Sequence, residues 1–135
     1  LIQNHQHIKI DGRTLIEKLL VVPPLQQNPV FQDEACFLYF NEGGSEIKTP
    51  TEQLKIQETE SVLLRCGTYF ADLFSNKKTG LCDVCVIHFY PDVLKNIFQD
   101  DLNLIHPNSD KTQYAQPLSR KLVMDHFMES LNFYF

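Results

Sequence analysis

The sequence predicts a mainly β domain, an antiparallel barrel or sandwich, followed by C-terminal helices. Three observations carry this. Short segments rich in β-branched and aromatic residues fill the first two-thirds of the 135-residue chain. Turn-forming residues separate them at regular spacing, which favours antiparallel strands over βαβ units. After Tyr90 the apolar residues adopt helical spacing instead.

The strand segments are HIKI, LIEKLLVV, ACFLYF, SEIKT, EQLKI, SVLLR, TYFADLF and DVCVIHFY. Between them fall Asp11-Gly12, Pro23-Pro24, Asn28-Pro29, Gly43-Gly44, Thr49-Pro50, Gly67 and Asn76 to Gly80. Glycine and proline supply the backbone angles that turns need. KKTG (Lys77 to Gly80) reads as a hairpin tip, and Gly67 as a turn between two strands. In PDVLKNIFQDD, Pro91 suits a first helical position, and Val93, Leu94, Ile97 and Phe98 recur at i, i+3 and i+4. Residues 100–116 are polar and linker-like. From Pro117 a second helix is expected, with a broad apolar face on Leu118, Leu122, Met124, Phe127, Met128 and Leu131, extended by Tyr134 or Phe135. Without a cap, and ending on Phe133-Tyr134-Phe135, this helix is expected to continue or to meet a partner helix.

Composition narrows the function classes. Net charge is −5, from 12 Lys and Arg against 17 Asp and Glu, with no basic run longer than Lys77-Lys78. Direct binding to nucleic acid needs a dense positive footprint, so this piece alone is a poor DNA binder. No apolar run approaches the ~20 residues of a membrane span. Cys36, Cys66, Cys82 and Cys85 without a secretion leader read as free thiols in a reducing cytoplasm. Because the chain begins at Leu1 it is expected to be a fragment, which weakens any inference from the missing leader.

Candidate chemistry is sparse. Cys82-Asp83-Val84-Cys85 is a bare CxxC without a second ligand pair, and in a strand residues three apart face opposite ways. Two half-buried thiols are the plainer reading. His5 and His7 share a strand face but lack a third ligand; His88 alternates with Val84, Val86 and Tyr90, where a lone His is usually a hydrogen-bonded interior residue. In SVLLRCGTYFADLF, Cys66 beside Arg65 and Gly67 could be a reactive thiol, but a packed one fits an apolar strand better. Gly43-Gly44 precedes no helix, so it offers no phosphate cradle. No catalytic residue and no paired acid/base site stands out.

The run from Asp33 to Phe74, followed by CVIHFYPDVLKNIF, resembles the N-terminal, cupin-like sensor domain of AraC-type bacterial transcription regulators. Its most distinctive pieces here are Thr49-Pro50-Thr51-Glu52, Leu63 to Tyr69 and His88 to Pro91. The resemblance covers Leu15 to Tyr90 and then the helical tail. It implies a cupin-like (double-stranded β-helix) barrel over 1–90 and a helical dimerisation element over 91–135. A C-terminal helix-turn-helix domain, absent from this chain, would bind DNA. The implied function is ligand sensing and homodimerisation by a cytoplasmic protein, with no cofactor and a small molecule or a protein as effector. Metal-bearing cupins carry G-x5-H-x-H-x3-4-E-x6-G and a later P-x-G-x2-H. Aligned on Gly43 and Gly67, the ligand positions fall on Val30, Gln32, Cys36 and Phe70, so no metal set is expected.

If the effector is a small molecule, the barrel interior would hold it. Cys36, Leu38 and Phe40 form one candidate wall, and Tyr69, Phe70, His88 and Tyr90 others. A barrel packed shut by its own side chains is the competing arrangement. Leu118, Leu122, Phe127, Leu131 and Phe135 are the expected dimer contacts. Two other classes compete: a small metal-dependent cupin enzyme (isomerase or dioxygenase), and a stand-alone binding module.

Overall fold

The computed structural model describes residues 1–31, 34–90, 92 and 115–118. Twelve strands lie among them: β1 (Ile2–Ile10), β2 (Arg13–Val21), β3 (Leu25–Gln27), β4 (Val30–Phe31), β5 (Ala35–Glu42), β6 (Gly44–Lys48), β7 (Gln53–Ile56), β8 (Ser61–Leu64), β9 (Gly67–Thr68), β10 (Phe70–Phe74), β11 (Cys82–Phe89) and β12 (Ala115–Leu118). Every ladder is antiparallel. One sheet runs β1-β2-β11-β5-β8-β12, a second β3-β10-β6-β7, and β4 pairs with β9. The mainly β, cupin-like architecture expected from the sequence is the one observed.

Turn chemistry sets the corners. Asp11 and Gly12 both have positive φ (52° and 77°), the twist that joins β1 to β2 in a tight hairpin. β1 carries register irregularities between Ile2 and Asn4 and between Ile8 and Lys9. In the TPTE run, Thr49 Oγ1 accepts from the amides of Glu52 at 2.9 Å and Thr51 at 3.2 Å, closing the β6–β7 hairpin. The chain crosses from the first sheet to the second at Gly43-Gly44. A Cβ on Gly43 would strike the Phe74 carbonyl oxygen, and one on Gly44 that of Ile56. Only glycine fits there.

KKTG sits in a turn organised by Asn76, whose Oδ1 accepts from the Lys78 and Thr79 amides at 2.8 and 3.2 Å. It does not cap a hairpin ladder. The flanking strands diverge, β10 pairing with β6 and β11 with β5. Gly67 likewise lies within a short strand opposite Phe31 rather than in a plain turn.

Period-two alternation sorts the side chains into two clusters. Inside are Val21, Cys36, Phe40, Ile47, Val62, Leu64, Tyr69, Cys82, Val84 and Val86. On the other face of the larger sheet are Phe37, Tyr39, Cys85 and Ile87, packed by Ile16, Leu63 and Phe89. Each Val, Leu, Ile or Phe among them, once fully buried, contributes about 1.5–3 kcal/mol relative to exposure. Cys82 and Cys85 therefore do face opposite ways, and both are buried. Burial pushes both thiols up to about 12, so neither is a nucleophile. Cys66 is exposed, contrary to the packed thiol expected; it follows the end of β8, where alternation no longer holds it inside.

A second departure concerns Pro117 and Leu118. They close β12, where Leu118 pairs with Ser61 and Pro117 with Val62 of β8. Proline, lacking an amide hydrogen, is tolerated on an edge strand, so its value as a helix-start signal failed here. The sheet thus draws on chain beyond residue 90. Of the expected helices only Asp92, Pro117 and Leu118 are among the described residues; Leu122, Phe127, Leu131 and Phe135 lie outside them.

Candidate functional site: a barrel cavity with a charged end

Inward-facing residues from both sheets enclose a cavity of about 290 Å³. Its walls are mostly aliphatic and aromatic, including Leu19, Phe31, Leu38, Phe40, Tyr69 and Val86. Of the sequence-derived pocket residues, Leu38, Phe40, Tyr69 and His88 line it.

The other three do not. Phe70 points outward and is 56% exposed, because Tyr69, Ala71 and Leu73 take the inward positions of that segment. A benzene ring at the metal-cupin histidine position is therefore not what faces the interior; Tyr69 is, with its hydroxyl donating to the Arg65 carbonyl at 2.5 Å. Cys36 is buried behind His88. Tyr90 stacks on the His88 ring, 6.0 Å between centroids and 15° between planes, and donates to the Thr14 carbonyl at 2.8 Å. The Arg13 guanidinium also lies over the Tyr90 ring, 4.7 Å from its centroid. Arg13 in turn holds Asp92 through two bonds of 2.9 and 2.7 Å.

His88 is the centre of the charged end. Its Nδ1 lies 2.7 Å from Glu34 Oε2, its Nε2 bonds Glu17 Oε2, and Cys36 Sγ is 3.3 Å from Nδ1. An acid against each nitrogen is the arrangement that an imidazolium, donating from both, satisfies. Burial alone would lower the His88 pKa, but the hydrogen bonds to Glu17 and Glu34 outweigh it and the net direction is up. Glu17 is held below the usual carboxylate range, chiefly by its bond to His88 against the opposing effect of burial, with help from His5. His5 Nε2 donates to Glu17 Oε1 at 2.8 Å.

Glu17 and Glu34 were not among the residues singled out from sequence. They come from β2 and from the residue before β5, the two neighbours of β11. A signal did exist for Glu17: it alternates with Leu19 and Val21, the pattern of a charge facing an interior.

Glu34, Cys36 and His88 bring one donor atom each within 4.8 Å of one another, so they could approach a metal ion together. The donor chemistry fits a proton better. His88 already uses both nitrogens on carboxylates. Burial, followed by the charges of Glu34 and Glu17, raises the Cys36 thiol far from its ionised form.

Comparison with known proteins places this arrangement. No curated protein matches the chain in sequence. ToxT from Vibrio cholerae with a bound unsaturated fatty acid is similar in structure, with a TM-score of 0.58 at 15% identity over 84% of this chain and 43% of ToxT. ToxT bound to (E)-4-(8-methylnaphthalen-1-yl)but-3-enoic acid gives 0.59 at 10% identity, over 89% of this chain and 48% of ToxT. The chain thus spans less than half of each of these structures. The cupin domain of Cnp3 from Schizosaccharomyces pombe gives 0.55 at 7% identity, over 72% of this chain and 73% of that one. At such identities these likenesses show the fold. The family is shown by sequence: residues 35–135 match the ExsA N-terminal regulatory domain. The chain belongs to that family, and is a cupin-like N-terminal regulatory domain of the AraC type.

Proposed function

We propose that this domain senses an effector inside its barrel and thereby controls DNA binding by a helix-turn-helix domain elsewhere in a longer cytoplasmic regulator. The observation that carries the reading is the cavity of about 290 Å³, apolar along its walls and charged at one end. That size lies near the lower end for small-molecule sites, ~300–1,000 Å³. ToxT, similar in fold, holds a fatty acid in one structure and an aromatic butenoic acid in another, which supports a small apolar effector here. The effector would act by binding one of two arrangements better than the other, since equal affinity shifts nothing. The domain is non-catalytic in this reading. The His88 cluster holds a proton between carboxylates and presents no nucleophile, since the Cys36 thiol beside it is kept protonated.

Ala71 lines the cavity, and Ala71→Phe should fill part of it. The wild-type chain is expected to bind the neutral fluorophore N-phenyl-1-naphthylamine at one saturable site, and Ala71→Phe to weaken that binding at least tenfold. No saturable site, or one untouched by the substitution, removes the reading. Homodimerisation through Leu122, Phe127, Leu131 and Phe135 is part of the same proposal. Light scattering is expected to give twice the chain mass, with the triple alanine change at 122, 127 and 131 shifting it toward monomer. Monomer at every concentration would end that part.

A further inference from the structure

The charges at the end of the cavity specify what kind of head group it accepts. Glu17, His88 and His5 line it, and no Lys or Arg does among the described residues. The cluster holds two carboxylates, Glu17 and Glu34, against the one imidazolium of His88. The formal charge of these three groups is therefore −1. His88 has no spare donor, because each nitrogen already faces an acid.

Glu17 does have spare capacity. An ionised carboxylate offers about four lone-pair sites, and the bonds recorded for Glu17 are one from His5 at Oε1 and one from His88 at Oε2. The two partners differ in exposure. The His88 side chain is 10% exposed and fixed by Glu34 and Tyr90, whereas that of His5 is 42% exposed on the edge strand β1. Oε1 is thus the oxygen a ligand can reach or take over from His5.

From this we propose that the cavity takes an amphiphile with an apolar body and a cationic amine head, the ammonium donating to Glu17 Oε1. A carboxylate head would sit beside Glu17 with no Lys or Arg among the described lining residues to meet it, and a buried like-charge pair is costly. An ammonium meets the unused acceptor and neutralises the cluster with a charge-assisted bond. The inference rests on the cavity being the effector site, and it selects the chemical class of effector.

The test compares decylamine, 1-decanol and decanoate, which share one alkyl chain and differ in head charge. Each displaces N-phenyl-1-naphthylamine from the wild-type chain at pH 7, below its aggregation threshold. The expected order is decylamine, decanol, decanoate, with decylamine at least tenfold tighter than decanoate at one molecule per chain. Glu17→Gln is expected to abolish the amine preference, so that decylamine binds no tighter than decanol. Ala71→Phe is expected to weaken all three, which separates the cavity from general attraction of amines to an acidic protein. Decanoate binding as tightly as decylamine, or a preference that survives Glu17→Gln, overturns the head-group assignment and leaves the cavity reading standing. Should none of the three bind, the cavity reading itself falls and this inference with it. If Glu17→Gln does not fold, the wild-type ranking alone decides.

Discussion

The two faces of β5 and β11 are built from alternate residues of the same strands, yet they behave differently. Inward lie Leu38, Phe40, Val84, Val86 and His88, which surround the cavity. Outward lie Phe37, Tyr39, Cys85 and Ile87, which form a separate buried cluster and line none of it. One face is packed to hold the fold together and the other leaves room. The space for a ligand does not come from a weak sheet, because each strand is anchored by its opposite face. A domain that senses needs this division, since an interior filled to native density has nowhere to put an effector.

Side-chain truncation should break the two faces unequally. Phe37→Ala, on the packed face, is expected to cost about 4 kcal/mol in urea denaturation, the middle of the range for buried Phe. Leu38→Ala, its neighbour on the cavity face, is expected to cost about 2 kcal/mol, the low end for Leu. Part of the Leu38 surface already meets empty space, so fewer contacts are lost. Equal costs for the pair would mean the cavity is not there. Leu38→Ala should also enlarge the site and tighten N-phenyl-1-naphthylamine, an effect Phe37→Ala should lack.

The smallest effect is expected at the charged end and depends on pH. The His88 pKa is raised above 6.5, so its contribution to stability is complete below 6.5 and is lost as pH rises through the raised value. That of Glu17 is lowered below 4.5, so its contribution is complete above 4.5 and is lost as pH falls through the lowered value. The window shared by both is pH 4.5 to 6.5. There His88→Gln is expected to cost about 1.5 kcal/mol, the lower figure for a charge-assisted bond. The deficit should shrink on both sides of the window, as read from urea midpoints at several pH values. A pH-independent deficit would show that His88 acts by packing alone.

Much of the β framework is legible in the sequence because alternation is a local property. ACFLYF and DVCVIHFY announce both their strands and their two faces. The pieces that escape are short or ambiguous. Strands β3, β4 and β9, of two or three residues, are too brief for any periodicity to register. In β12, Pro117 suits a helix start and an edge strand equally well. The site is harder to read for a different reason. Glu17 and Glu34 are 71 and 54 residues from His88 along the chain, and only the sheet order β2-β11-β5 brings them to one ring. A wall such as Leu38 and Phe40 follows from one strand; a three-residue charge cluster follows from the pairing of several. Tyr69 against Phe70 shows how narrow the margin is, since a shift of one position exchanges interior for surface.

The irregular edge strand β1 has a consequence for how the molecule meets its own copies. It is nine residues long, lies at the end of the larger sheet, and carries Ile2 and Ile10 in the open. A flat ribbon of that kind would invite another strand to zip on and start aggregation. Two register breaks, at Ile2/Asn4 and Ile8/Lys9, twist it, and the polar run from Asn4 to His7 separates its isoleucines. The kinks that look like defects in the ladder are the kind of irregularity that works against one copy's edge zipping onto another's.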